Sequence, residues 1–85
     1  MDQYLTLNDG TVIQDSFVLE DGNILRVYVY SNMDFGVLFN LLNDPEKVEE
    51  IKCTRYGNEQ TVTGYTELYC ISKEPNGSYS AGIRK

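Results

Sequence analysis

The chain has 85 residues, 41% of them hydrophobic and 24% charged, with a formal net charge of −6 and no histidine. This length suits one domain spanning residues 1–85, near the size at which a single core becomes marginal. Direct nucleic-acid binding is disfavoured, because phosphate contacts need clustered Lys and Arg. No segment approaches the roughly 18 consecutive apolar residues of a membrane span.

The first residues, MDQYLTLNDG, lack the basic start and apolar run of a signal peptide, so the chain is expected in the cytoplasm. Cys53 and Cys70 fit that compartment as reduced, half-buried thiols; a disulfide is the alternative. The charge is uneven. Residues 1–51 hold ten acids against Arg26 and Lys47, whereas residues 52–85 hold three acids against five bases. Such an acidic half can meet a basic surface on a partner, although solubility alone also explains it.

Turn dipeptides divide the chain. Asp9-Gly10, Asp21-Gly22 and Asn76-Gly77 each separate runs rich in Val, Ile, Thr and Tyr, and Gly57-Asn58 is a weaker fourth. Strands are predicted near 3–7, 11–14, 16–20, 24–30, 51–56, 61–72 and 78–84, with a break in the sixth at Gly64. Glu74-Pro75-Asn76-Gly77 suits a type I turn with Gly77 left-handed. A hairpin turning at Gly57-Asn58 would set Cys53 near Gly64 and away from Cys70.

In the predicted strand 24–30, Leu25, Val27 and Val29 point one way, beside Val18. Ile24, Arg26, Tyr28 and Tyr30 point the other way, beside Phe17 and Leu19. Both faces are apolar. One can rest on a helix; the other calls for a second layer, a partner chain or partial exposure.

The only helical stretch follows. Ser31 is its expected cap, with Asp34 three residues on, and Asn43-Asp44-Pro45 ends it. Seven of the ten residues from Met33 to Leu42 are apolar. Projected at helical spacing they fill an arc of roughly 240°, so cover on more than one side is expected. Asp44 then caps a second short turn beginning at Pro45, pinned by Val48 and Ile51. Together these elements predict an α+β domain: an antiparallel, curled β-sheet of about five to seven strands built from hairpins, with one central helix packed on it.

Chemistry is mostly excluded. Without histidine there is no imidazole base or ligand. The cysteines lack a CxxC pairing, and the seven glycines form no phosphate-cradling loop. Asp44, Glu46, Glu49 and Glu50 fit no calcium loop, and Lys47 lies among them. No catalytic, cofactor or metal residue is assigned, and no enzymatic activity is expected. The seven tyrosines, nearly all in predicted strands, suit either cross-strand packing or an interface. The candidate partner-binding residues are therefore Phe17, Tyr28 and Tyr30 on one strand face, and Asp44, Glu46, Glu49 and Glu50 on the acidic turn.

The order LTLNDGTVI, ILRVYVY, DPEKVEEI, TGYTEL and a last strand ending in Lys resembles small accessory proteins encoded by bacteriophages and prophages of gut bacteria. The resemblance implies a phage-encoded protein in the host cytoplasm and carries over no catalytic residue. Its expected function is binding another protein, as an inhibitor of a host defence protein in the manner of small acidic anti-CRISPR proteins. A virion tail or baseplate accessory, held by its neighbours, is the alternative. A small regulator forming a homodimer through the Tyr28/Tyr30 face is another.

Overall fold

The computed structural model describes residues 2–85. Four antiparallel hairpins form. The first joins β1 (Gln3–Thr6) to β2 (Val12–Gln14), with Leu5 opposite Ile13. Its loop closes as Gly10 N–H donates to Leu7 O and Leu7 N–H donates to Thr11 O. The second joins β3 (Ser16–Asp21) to β4 (Ile24–Val29). Its turn is Gly22-Asn23, one residue later than predicted, because Gly22 adopts a φ of 63°. Val18 therefore faces Val27; against the expected turn this is a two-residue shift, and the faces keep their assignment.

The third hairpin joins β5 (Glu50–Arg55) to β6 (Asn58–Thr63). It turns at Tyr56-Gly57, not Gly57-Asn58, with φ of 50° and 85° at the two corners. Two left-handed corners define the type I′ turn, whose twist matches that of the strands. Cys53 thus faces Gln60 and not Gly64. The fourth joins β7 (Glu67–Lys73) to β8 (Tyr79–Arg84) around the expected Glu74–Gly77 turn. There Gly77 N–H donates to Glu74 O and Glu74 N–H to Ser78 O.

These hairpins do not build one curled sheet around a central helix. They build two four-stranded sheets, ordered β2-β1-β5-β6 and β3-β4-β8-β7. The chain changes sheet at three places. Asp15, at φ 51°, separates β2 from β3, and buried Ser16 donates its hydroxyl to Ile13 O there. Two short helices, α1 (Phe35–Leu42) and α2 (Pro45–Val48), connect β4 to β5. Gly64-Tyr65-Thr66 connects β6 to β7, which is the break predicted within 61–72. Each half of the chain gives one hairpin to each sheet, so the connectivity repeats as a two-fold although the sequence does not.

Leu5, Ile13, Ile51, Cys53 and Val62 of the first sheet share one core with Val18, Leu25, Val27, Val29, Ala81 and Ile83 of the second. Burying each large aliphatic side chain contributes about 1.5–3 kcal/mol. Leu38, Leu42 and Val48 from the helices join that core. Asp44 caps α2 by accepting from Glu46 N–H, as expected. The cap of α1 differs from expectation: Asp34, not Ser31, accepts from Val37 N–H at 3.1 Å. The helix begins at Phe35, which leaves Ser31 too far back to reach it; its buried hydroxyl finds no hydrogen-bond partner among the described residues.

The expected cover on more than one side of α1 is also absent. Leu38 and Leu42 are fully buried, but Val37, Phe35 and Phe39 remain 52%, 43% and 36% exposed. Leu38 and Leu42, an i, i+4 pair, enter the core between the sheets, and Leu41 packs against it half-buried.

Candidate functional site

β4 brings the aromatic candidates together. Phe17 pairs with Tyr28 across the β3–β4 ladder, and their rings stack at 5.2 Å between centroids. Tyr30, just past β4 and 48% exposed, stacks on Phe17 at 6.0 Å. The Arg55 guanidinium reaches over from the other sheet to 4.4 Å from the Phe17 centroid. β4–β8 pairing then sets Ser80 beside Tyr28 and Tyr79 beside Val29.

This end of the second sheet holds a groove of about 510 Å³. Tyr28, Tyr30 and Tyr79 supply its aromatic lining; Ser78, Ser80 and the turn residues Glu74, Pro75 and Asn76 supply the rest. Glu74 is oriented: its Oε2 accepts from Ser72 Oγ at 3.2 Å and Ser80 Oγ at 3.0 Å. Tyr79 is itself buried, and a second, exposed aromatic pair lies beside it on α1. Phe35 of α1 lies 6.1 Å from the Tyr79 ring and 6.3 Å from Phe39. The Tyr79 hydroxyl donates to Met33 O, which anchors the segment entering α1 to β8.

The acidic candidates lie apart from this groove, and none of the four lines it. Asp44 is engaged as a cap, with Lys47 Nζ 4.0 Å away. Glu46 is exposed on α2, whose carbonyls accept from Asn8: the side-chain amide at Glu46 O and the backbone N–H at Lys47 O. Glu49 ends α2 and accepts from Gly64 N–H through its carbonyl, and Glu50 opens β5 opposite Thr63. Among the described residues no cluster of three or more His, Cys, Asp or Glu is placed to hold a metal ion.

Sequence reasoning missed Tyr79, Glu74 and Ser80 as neighbours of Tyr28. The turn carrying Glu74 was legible, but its placement depends on β4–β8 pairing, which joins residues fifty or more positions apart. The tyrosines prove diverse. Tyr4, Tyr28, Tyr69 and Tyr79 lie in strands; Tyr30 lies just past one, Tyr56 in a turn and Tyr65 in a crossover. Cys53 is buried in the first sheet and Cys70 exposed in the second, and both are free thiols. No helix among the described residues is long and apolar enough to cross a membrane. No protein-family model, curated protein or solved structure matches the chain.

Proposed function

We propose that this chain is a non-enzymatic protein-binding module that docks through the aromatic strip running from Tyr28 and Tyr30 past Tyr79 to Phe35, Val37 and Phe39. The observation that carries the reading is the exposure of Tyr30 just past β4 and of Phe35, Val37 and Phe39 on α1. Apolar groups gathered in this way mark an interface, and tyrosine supplies contact area at little entropic cost. The partner is a protein with a basic surface, which the net charge of −6 attracts and which opposes pairing of two identical copies.

Within this proposal the chain acts in the cytoplasm, a setting its free cysteines suit. The resemblance to phage accessory proteins supports an inhibitor that covers a working surface of a host protein. The aromatic strip, not the acidic turn at α2, carries the contact.

The test is capture of host proteins on immobilised wild type, with two variants in parallel. A partner should be lost with Tyr30→Glu combined with Phe39→Ser, and retained with Glu46→Lys, Glu49→Lys and Glu50→Lys together. Retention by the first variant and loss with the second would transfer the docking role to α2. Recovery of the chain in purified phage particles, where it is not expected, would favour a virion component.

A further inference from the structure

We infer that the groove between Tyr28, Tyr30 and the Glu74–Asn76 turn receives an arginine side chain of the protein partner, an inference that rests on the docking reading above. Among the described residues, Glu74 is the only charged one lining this groove. Its Oε2 is held by the Ser72 and Ser80 hydroxyls, while its Oε1 makes no hydrogen bond among the described residues. A carboxylate fixed at one oxygen and open at the other is set to accept from a cation.

The aromatic lining points the same way. Four of the chain's seven basic side chains already lie over aromatic rings: Arg55 on Phe17, Lys85 on Tyr65, Arg84 on Tyr69 and Lys73 on Tyr79. Among the described residues no cation lies over the other two groove rings, Tyr28 and Tyr30. Each stacks on Phe17 and each lines the groove. Lys73 stands on Tyr79 but does not line the groove, so none of the described basic side chains fills it.

Arginine suits these walls better than lysine. A planar guanidinium stacks on a phenol ring while its fork of N–H donors meets a carboxylate; an ammonium is a compact, strongly hydrated point charge. A volume of about 510 Å³ also leaves room for the backbone flanking such a side chain.

The experiment titrates isotope-labelled protein with Nα-acetyl-arginine amide, following backbone amide resonances, with the citrulline and lysine analogues in parallel. Saturable shifts are expected at Tyr28, Tyr30 and Ser78 to Ser80, with a dissociation constant on the order of 1–10 mM for one stacked, exposed ion pair. Glu74→Gln should weaken this about three- to fivefold, and citrulline should shift these resonances far less. The slot is overturned by absence of shifts there, by an equal response to citrulline, or by an unchanged constant in Glu74→Gln. Equal binding of the lysine analogue overturns the preference for a guanidinium. Phe39→Ser lies outside the groove and should leave the titration unchanged while weakening partner capture. A failed titration with intact, strip-dependent capture therefore removes the slot alone.

Discussion

Tyr65 closes the crossover between β6 and β7, its hydroxyl donating to Glu20 Oε2 at 3.0 Å and its ring lying under Lys85. Burial, followed by the Glu20 carboxylate, pushes its pKa above the ordinary 10.0. The folded chain therefore keeps this proton at a pH where the unfolded chain releases it. Its contribution to stability is whole below about pH 10 and is lost as pH rises through the folded value. Tyr65→Phe should flatten the alkaline limb of a denaturation series; an unchanged limb would contradict this. Asp9 behaves oppositely, because the Thr11 backbone N–H holds its carboxyl below 3.8. Its contribution is present above about pH 4 and is lost as pH falls through the folded value. Gly82 answers to space: a Cβ there would lie 2.8 Å from the Tyr69 ring and 2.9 Å from Cys70 Sγ. Both side chains sit at the β7 bulge and can move, so Gly82→Ala should cost about 1 kcal/mol and disturb the Tyr69 near-ultraviolet signal.

At the scale of elements, α1 separates residues that the sequence makes look alike. Leu38 is fully buried and its neighbour Val37 is half exposed. Leu38→Ala should cost about 2–5 kcal/mol by leaving a cavity, while Val37→Ser should stay within about 0.5 kcal/mol. Chemical denaturation of the two variants checks this; equal losses would mean that α1 is covered on both sides after all. The cap gives a second contrast. Asp34→Ala should cost about 1 kcal/mol by freeing the Val37 N–H, whereas Ser31→Ala removes a hydroxyl without a partner and should be close to neutral. Helix spacing revealed how apolar α1 is. It did not reveal that only one stripe would be covered, because that depends on the depth of the two sheets beneath it.

For the whole molecule, the closing events are the β1–β5 and β4–β8 pairings, which set Leu5 opposite Cys53 and Leu25 opposite Ile83. Each joins the two halves of the chain, so most loop entropy must be lost before either central ladder forms. Folding followed by stopped-flow mixing should take milliseconds to seconds, as in other domains dominated by non-local strand pairs. A microsecond phase carrying the full amplitude would contradict this topology. Under the proposed docking on a basic protein, with a net charge of −6, association should slow as ionic strength rises, which stopped-flow association at two salt concentrations would check.

The amino-acid sequence by itself determined the hairpins, the stop at Asn43-Asp44-Pro45, and the strand faces bearing Leu25, Val27 and Val29 or Phe17 and Tyr28. Those features depend on turn chemistry and alternation, which act over a few neighbouring residues. Single-residue misplacements of the turns at Gly22 and Tyr56 arose because adjacent residues can share a corner. Only the tertiary structure decided that the hairpins alternate between two sheets, that one stripe of α1 enters the core, and that Glu74 comes to rest beside Tyr28 and Tyr30. Each of these follows from pairing or packing between distant segments, where the free energy of burial in a shared core outweighs local preference.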